Sequence, residues 1–244
     1  MSADAERRTS DPIDPATLQK DGGRVLDALA DGGVAVVALD VAYGILGARP
    51  DAIRKIFDAK NRSYEKPSGM FSNWKLSSEL HIMEDRLHTI VREMCETGGL
   101  PFSVVAPFRE DHPLIKAVDP FVMSSSSKVG TLDMLLNAGQ LHDELARQSA
   151  ERGMLVFGSS ANTSLTGSKY RVEDIDKPVL DAADIVIDYG TSKFENDLGR
   201  SSTIIDFRDF TVIRIGVEFD DLAGLFKSRY DIDLIITDKT AGKA

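Results

Sequence analysis

The sequence predicts a single α/β domain built on a mixed sheet, and three observations lead to this prediction. Short continuous apolar runs, such as residues 34–39, are typical of buried strands. Segments with apolar residues at helical spacing, such as residues 50–60, lie between these runs. In addition, the apolar run at residues 155–158 leads into a loop of small polar residues at 159–164. α/β proteins place ligand-binding groups at such strand ends.

Composition limits the class of protein. The net charge of −10 disfavours direct nucleic-acid binding, which depends on Lys and Arg against phosphates, but it leaves room for a local basic pocket. The only cysteine, Cys95, excludes an internal disulfide, and we expect a packed core thiol in a reducing, cytoplasmic compartment. No apolar run is long enough to cross a membrane, and the polar N-terminus does not resemble a secretory signal.

The chain divides into three predicted parts. Residues 1–14 are polar and predict a disordered tail, and residues 15–226 form the α/β domain. Residues 227–244 form a C-terminal extension whose structure the sequence leaves open. Neither an internal repeat nor a low-complexity linker divides the domain.

The first helix has two alternative starts. Asp14 and Pro15 suit the N-cap and the first helical position. Gly22 and Gly23 would interrupt a helix begun there, so the helix could instead start at Asp21. The other predicted helices are at 50–60, near 172–175 and at 219–226, with one around 141–146 stopped by Gly153 and one long helix capped near Ser77 or Ser78 and ended by Gly98. The other predicted strands are at 70–71, 101–108 and 128–132, followed by a strand and turn at 183–190 and a strand pair at 201–206 and 211–216. The sequence also predicts a sharp turn at 40–47, a loop at 124–127 and a mobile segment at 191–200.

A cluster of cations stands out in this acidic chain. Lys60, Arg62 and Lys66 lie within seven residues, just before Pro67 breaks the backbone. They could simply complement the dipole at the end of a helix. Alternatively they form a phosphate clamp, in which Arg supplies a planar fork and Lys a point charge.

Four segments, in this order and spacing, resemble the YrdC-like family of threonylcarbamoyl-AMP synthases. The resemblance extends over roughly residues 22–216. Each motif is weak alone, but the ordered set is specific. The segments are Asp40-Val41-Ala42-Tyr43-Gly44, Lys60-Asn61-Arg62 with Lys66-Pro67, Ser160-Ala161-Asn162, and Ser202-Thr203-Ile204-Ile205-Asp206 with Arg214-Ile215-Gly216.

The resemblance implies a twisted, mixed parallel and antiparallel sheet flanked by helices, with a deep basic central cavity. It implies an enzyme that converts ATP, L-threonine and bicarbonate into threonylcarbamoyl-AMP and pyrophosphate, with Mg²⁺ accompanying the ATP. A partner enzyme would then transfer the threonylcarbamoyl group to an adenosine in tRNA. No nucleophilic side chain is needed, and no metal-ligand spacing occurs in the sequence.

The resemblance also implies roles for particular residues. The catalytic pair, Lys60 and Arg62, would hold the phosphates and the carboxylate. The residues that would contact the nucleotide are Ser160, Asn162, Arg214 and Lys66. Those that would border the amino acid are Asp40, Tyr43, Ser202 and Thr203.

Several positions depart from the family pattern. Leu39 and Val41 replace the two threonines of the family's P-T-D-T-V-Y-G-L motif, so the amino-acid side of the site loses two hydroxyls. Thr131 stands where the family's G-x-R-x-P segment has an arginine, which removes a cation expected for ATP. The S-A-N-x-S-G motif is stretched over residues 160–167. The motif residues on the phosphate side of the site therefore match the family pattern more closely than those on the amino-acid side.

These departures leave alternatives open. The chain could be a diverged ATP-dependent relative that uses another amine or carbamate. It could also be a nonenzymatic nucleotide- or RNA-binding module on the same fold. The cations could finally form only surface ion pairs with the abundant Asp and Glu. Convergence of Lys60, Arg62 and Arg214 with Ser160 and Asn162 in one cavity would favour a nucleotide site.

Overall fold

Ten strands form one mixed sheet in the computed structural model, which describes residues 7–237. The strands are β1 (Ala35–Val37), β2 (Gly44–Gly47), β3 (Gly69–Phe71), β4 (Phe102–Pro107), β5 (Ser127–Lys128), β6 (Thr131–Leu136), β7 (Phe157–Ser160), β8 (Ile185–Ile187), β9 (Thr203–Asp206) and β10 (Thr211–Arg214). The helices are α1 (Pro15–Ala30), α2 (Pro50–Ala59), α3 (Trp74–Leu80), α4 (Asp85–Glu93), α5 (Pro113–Lys116), α6 (Pro120–Ser124), α7 (Gln140–Glu151), α8 (Lys177–Asp181) and α9 (Phe219–Tyr230).

The sheet combines parallel and antiparallel neighbours, as the sequence predicts. Across the sheet the order is β10-β9-β4-β6-β3-β7-β2-β1-β8, and β5 pairs with β6 beside this path. The pairs β1–β8, β3–β6 and β4–β9 are parallel, and the other neighbours are antiparallel. The predicted fold class is confirmed.

Helix α1 begins at the earlier of its two predicted starts. The Asp14 side chain accepts a hydrogen bond from the Thr17 amide at 3.0 Å, and the helix continues through both glycines. A Cβ at Gly22 would lie 2.9 Å from Gln148 Nε2 of α7, so the missing side chain lets the two helices approach closely. This contact offsets the low helix propensity of glycine, and the start at Asp21 is wrong.

The predicted long helix between Ser77 and Gly98 is two helices. Asn73 caps α3 through the Leu76 amide, and α3 ends before His81. His81 then forms a β-bridge with Phe108, and its buried ring contacts the Leu132 carbonyl. This pairing with the end of β4 breaks the helix, and a π-helical turn at Met94–Gly98 extends α4.

Three loop predictions are corrected. The expected sharp turn at 40–47 contains β2, which pairs with β1. The expected loop at 124–127 is the end of α6 and the start of β5, and the strand at 128–132 is a β5–β6 hairpin. The segment at 191–200, predicted to be mobile, has defined contacts: Asn196 donates to Tyr170 Oη and to the Phe194 carbonyl.

Both ends of the described range form isolated β-bridges with the rest of the domain. Arg8 forms a β-bridge with Thr191, and Thr9 is buried, so the prediction of a disordered tail is wrong for residues 7–14. At the other end α9 runs on to Tyr230, and Ile235 forms a β-bridge with Thr211 of β10. Residues 1–6 and 238–244 lie outside the described range.

Two hydrophobic clusters support the sheet. The larger one contains the buried faces of α1, α2, β1 and α7, and the smaller one joins α4, β4, β9 and α9. Cys95 packs against the smaller cluster, and burial raises the pKa of its thiol to about 12. Among residues 7–237, no helix combines the length and apolar character required to span a bilayer.

Candidate functional site

One face of the central strands lines two adjoining cavities. Along β6, Leu132, Met134 and Leu136 are fully buried in the core. Since side chains alternate along a strand, Thr131, Asp133 and Leu135 face the opposite side. Asp133 lines both cavities, whereas Thr131 contributes to the outer one and Leu135 to the inner one.

The inner cavity is small and of mixed polarity, with a volume of about 130 Å³. An apolar part is formed by Leu39, Val41, Phe71 and Leu135, and charged or hydroxyl groups form the rest. The principal polar residues are Arg62, Ser103, Asp133, Ser159, Ser202 and Arg214.

The outer cavity is larger, with a volume of about 760 Å³, and is rich in cations. It shares Arg62, Asp133 and Arg214 with the inner cavity. Cationic side chains surround it although the chain as a whole is acidic. They are Lys60, Arg62, Lys66, Lys128, Arg208 and Arg214.

Arg62 is held by the backbone that follows it. Its Nε donates to the Lys66 carbonyl at 3.1 Å, and one Nη donates to the Pro67 carbonyl at 2.8 Å. Burial lowers the pKa of Arg62, the positive charge of Arg214 lowers it further, and Asp133 opposes both. These fixed contacts hold the guanidinium at the junction of the two cavities.

Arg214 reaches the same junction from the opposite side of the site. Its guanidinium donates to the Ser202 carbonyl at 2.8 and 3.0 Å and to Ser202 Oγ at 3.1 Å. Two residues later, a Cβ at Gly216 would lie 2.1 Å from the Thr203 amide nitrogen. The R-x-G motif therefore combines a cavity cation with a glycine that permits close backbone packing.

Lys60 is buried, with 1% of its surface exposed, beneath the polar loop after β7. Its Nζ donates to the carbonyls of Ser160 and Asn162, and its own carbonyl accepts from the Ser164 amide. Burial, assisted by Arg62, lowers the pKa of Lys60 to about 7, whereas the two carbonyl acceptors favour the ammonium. The geometry makes Lys60 a brace for the loop.

The loop is also ordered by its own side chains. Ser160 Oγ donates to Asn162 Oδ1 at 2.5 Å, and the Asn162 amide group donates to the Thr163 carbonyl. The Thr163 amide in turn donates to Asp176 at 2.7 Å. Small polar groups are thus held rigidly along one wall of the outer cavity.

Asp133 is the one acidic side chain that lines both cavities in the described structure. Its Oδ1 is buried and has no hydrogen-bond partner among residues 7–237. Burial raises the pKa of Asp133 to about 6, although Arg214, the Ser103 hydroxyl and Arg62 all favour the carboxylate. The cavity junction therefore combines two cations with one acid whose Oδ1 is buried.

Other buried polar atoms around the cavities also lack partners within the described range. Ser159 Oγ is such an atom at the inner cavity, and Ser126 Oγ and Ser164 Oγ are such atoms at the outer one. Buried hydroxyls normally form hydrogen bonds. Their position on the cavity walls leaves these hydroxyls accessible to ligand atoms or water.

Most of the predicted site residues lie together, and two do not. Asp40 lines neither cavity, because a tight turn packs its carboxylate against Gly139. Thr203 also lies elsewhere: its Oγ1 accepts from the Gly216 amide at 3.0 Å. The residues found in the cavity walls are Lys60, Arg62, Lys66, Tyr43, Ser160, Asn162, Ser202 and Arg214.

Tyr43 contributes to the site mainly through its position in the fold. Its ring is fully buried, and its hydroxyl lies 2.5 Å from Asp188 Oδ1 and 2.9 Å from the Gly190 carbonyl. Its carbonyl accepts from the Ala161 amide at 2.7 Å, which ties the polar loop to the turn before β2.

Sequence reasoning missed several cavity residues. Asp133, Ser103, Ser159 and Arg208 line the cavities but belong to none of the predicted site sets. Alternation along β6 could have revealed Asp133, since Leu132, Met134 and Leu136 form an apolar row on either side of it. No local sequence pattern marks the other three residues as cavity residues, because the order of strands in the sheet brings them together.

The described residues contain no cluster of three or more His, Cys, Asp or Glu side chains able to hold a metal ion by themselves. Carboxylates do line the outer cavity at Glu65, Asp133 and Asp206. Mg²⁺ commonly uses one or two protein carboxylates together with substrate phosphates. This donor set therefore fits a metal that arrives with a nucleotide.

Comparisons with known proteins agree with this geometry. The model of the Sua5/YciO/YrdC family, described as telomere recombination, matches residues 27–216. The chain belongs to this family. The predicted YrdC-like resemblance is thereby confirmed. No curated protein matches the chain.

Solved structures show the same fold. A hypothetical protein from Streptococcus mutans is 18% identical, with a TM-score of 0.74 over 90% of this chain and 94% of that one. Sua5 from P. abyssi in complex with L-threonine is 18% identical, with a TM-score of 0.67 over 95% of this chain and 61% of that one. YciO from E. coli is 14% identical, with a TM-score of 0.60 over 86% and 93%.

Proposed function

We propose that this chain is an ATP-dependent nucleotidyltransferase that joins an amino acid, bicarbonate and ATP into a carbamoyl-adenylate and releases pyrophosphate. The observation that carries the proposal is the pair of adjoining cavities. One has room for an amino acid and the other for a nucleotide, and Arg62 and Arg214 belong to both. With L-threonine, the product is threonylcarbamoyl-AMP, which a partner enzyme would transfer to tRNA. The fold shared with the L-threonine complex of Sua5 supports an amino-acid site.

The reaction consists of two bond-forming steps. First, bicarbonate takes up a proton and loses water to give carbon dioxide. The neutral amine of the amino acid then attacks this carbon, which forms a C–N bond, moves one C=O electron pair onto oxygen and releases a proton. Second, an oxygen of the resulting carbamate attacks the α-phosphorus of ATP. The bond from this phosphorus to the bridging oxygen breaks, and pyrophosphate leaves with the electron pair.

The cavity junction suits the second step. Negative charge develops on the oxygens of the α-phosphate and on the leaving pyrophosphate, and fixed cations stabilise it. Arg62 and Arg214 are held by backbone carbonyls before any ligand arrives, so little reorganisation is required. The larger cavity adds Lys66, Lys128 and Arg208 around the nucleotide phosphates.

Mg²⁺ is proposed as a companion of ATP. When bound, it would neutralise charge on the phosphates and help pyrophosphate to leave. Glu65 and Asp206 are the outer-cavity carboxylates available to hold it directly or through water. Asp206 is oriented by Arg208, whose Nη lies 2.6 Å from Asp206 Oδ2.

The primary test is pyrophosphate release from ATP, with and without bicarbonate and an amino acid, together with the mass of any adenylate formed. We expect release to require both co-substrates. Arg62→Ala should lower turnover by at least about a hundredfold, the usual loss when a transition-state donor is removed. Arg92→Ala, on the exposed side of α4, is the matched control and should turn over normally.

Unchanged turnover in Arg62→Ala would contradict the role of this residue. ATP binding without pyrophosphate release under any amino acid would instead identify a nonenzymatic nucleotide-binding module. Absence of both nucleotide binding and turnover would reject the proposed function altogether.

Lys60 has a distinct expected effect. Lys60→Met removes the donor for two loop carbonyls, so we expect a loss of about 1–3 kcal/mol in the free energy of unfolding as well as lower turnover. Lys116→Met, at an exposed position in α5, serves as the control. Denaturant unfolding measures the effect, and normal stability with normal turnover would reject the bracing role.

A further inference from the structure

We propose that the inner cavity binds a small amino acid with an apolar side chain as its zwitterion, with the ammonium group at Asp133 and the carboxylate at Arg62 and Arg214. This inference rests on the proposed function for the reaction that follows. It specifies the substrate class as small apolar amino acids, whereas the motif resemblance implies L-threonine.

The apolar part of the inner cavity is the first argument. Leu39, Val41 and Phe71 are each less than 5% exposed, and Leu135 completes this part. Leu39 Cδ1 and Phe71 Cζ both lie within 3.3 Å of where a Cβ at Gly44 would stand, so the two side chains close over this glycine. A hydroxyl placed against them would lose its water without gaining a partner.

The charge arrangement is the second argument. An anion alone would be attracted by Arg62 and Arg214 but repelled by the carboxylate of Asp133, which interacts electrostatically with both arginines. A zwitterion satisfies all three groups at once, because its ammonium can donate to the buried Asp133 Oδ1. Ser159 Oγ remains as a hydrogen-bond donor for the ligand's carboxylate.

Size is the third argument. A buried water needs roughly 10–15 Å³ of comparable cavity volume. The inner cavity of about 130 Å³ therefore admits a ligand of about ten nonhydrogen atoms. Alanine, 2-aminobutyrate and valine fit this limit. L-Valine and L-threonine have almost the same shape, so any preference between them reports polarity alone.

Calorimetric titration of the intact protein with L-valine and L-threonine tests the proposal. The titration is performed without nucleotide and is repeated with a nonhydrolysable ATP analogue. We expect L-valine to bind about 10- to 100-fold more tightly than L-threonine, the range in which an apolar pocket discriminates against an added hydroxyl. N-Acetyl-L-valine, which lacks the ammonium, and L-valinamide, which lacks the carboxylate, should each bind at least tenfold more weakly.

Variants assign the contacts. Asp133→Asn keeps the shape of the side chain and should weaken L-valine binding at least tenfold. Asp111→Asn, on an exposed loop, is the control and should bind normally. The double variant Leu39→Thr with Val41→Thr should shift the preference towards L-threonine. If this double variant does not fold, Asp133→Asn and the titrations with L-valine, L-threonine and the two derivatives still test the inference.

The possible outcomes separate this inference from the proposed function. Binding of L-threonine as tight as that of L-valine, no L-valine binding with or without the analogue, or unaltered binding by Asp133→Asn would each overturn the inference. If L-threonine but no apolar amino acid supports pyrophosphate release, the inference is overturned too, while the proposed function stands. Tight L-valine binding without any pyrophosphate release would reject the function and keep the site.

Discussion

Lys60 and Arg62 are two residues apart in the sequence but have different surroundings. Lys60 points beneath the loop after β7 and satisfies its carbonyls, whereas Arg62 lies at the junction of the two cavities. A shared motif therefore contains one bracing residue and one residue placed to contact a ligand. The alternative that these cations form only surface ion pairs does not agree with their burial beside the cavities.

Asp133 permits a test at the residue scale that needs no ligand. Its pKa is raised from 3.8 to about 6, chiefly by burial. Between these values the native state holds a proton that the unfolded state has released, so stability falls as pH rises through this window. Above about pH 6 the full cost of the buried carboxylate is present.

Asp133→Asn cannot ionise, so this variant should be more stable than the wild type at about pH 7.5. The difference should shrink towards zero near pH 3, where the wild-type side chain is protonated in the native state and largely so in the unfolded state. Thermal unfolding of both proteins across this pH range measures the effect. A variant less stable than the wild type at about pH 7.5 would contradict the assignment of a costly buried charge.

At the scale of elements, the β5–β6 hairpin positions Asp133 and also contains a local conflict. Its two-residue turn, Val129-Gly130, has φ values of +53° and +71°. Both positions of a type I′ turn need positive φ, which suits Asn-Gly and disfavours a β-branched residue. Val129 is 85% exposed on the rim of the outer cavity, so packing does not explain its presence.

Val129→Asn should therefore raise the free energy of unfolding by about 1 kcal/mol. Val129→Ala, which removes the branching but not the penalty of positive φ, should have a smaller effect. Denaturant unfolding of the two variants makes the comparison. If Val129→Asn is stable but impairs turnover, the exposed side chain has a function at the cavity rim.

At the scale of the whole molecule, the sheet brings distant parts of the chain to one site. Arg62 follows α2, Asp133 lies on β6 in the middle of the sheet, and Arg214 comes from the edge strand β10. The edge is covered by the segment around Ile235, since the Val212 amide donates to the Ile235 carbonyl and the Ile235 amide donates to the Phe210 carbonyl. Covering an edge strand prevents unwanted pairing and fixes its position.

Ile235→Pro removes one of these two amide donors. We expect it to lower the free energy of unfolding by about 1–2 kcal/mol and to weaken ATP binding, because the strand that carries Arg214 loses its cover. Ile235→Ala keeps both backbone hydrogen bonds and is the matched control, with a smaller expected loss, since the side chain is 49% exposed. Equal stability of the two variants would show that the bridge does not support β10.

Local patterns in the sequence determined many of the elements and the family. Asp14 and Pro50 mark helix starts, the apolar run before Asp40 marks a buried strand, and the ordered motifs indicate the YrdC-like fold. These features depend on hydrogen bonds and spacing between near neighbours, which a sequence displays directly.

Only the tertiary structure decided which polar residues share a cavity. Asp40 and Thr203 belong to the motifs but pack against Gly139 and Gly216, whereas Asp133 lies outside the recognised set and occupies the centre of the site. The physical reason is that strand order and the direction of each side chain depend on contacts between residues far apart in the chain. The same reason explains why the helix expected to run from Ser77 to Gly98 breaks at His81, where the chain pairs with Phe108.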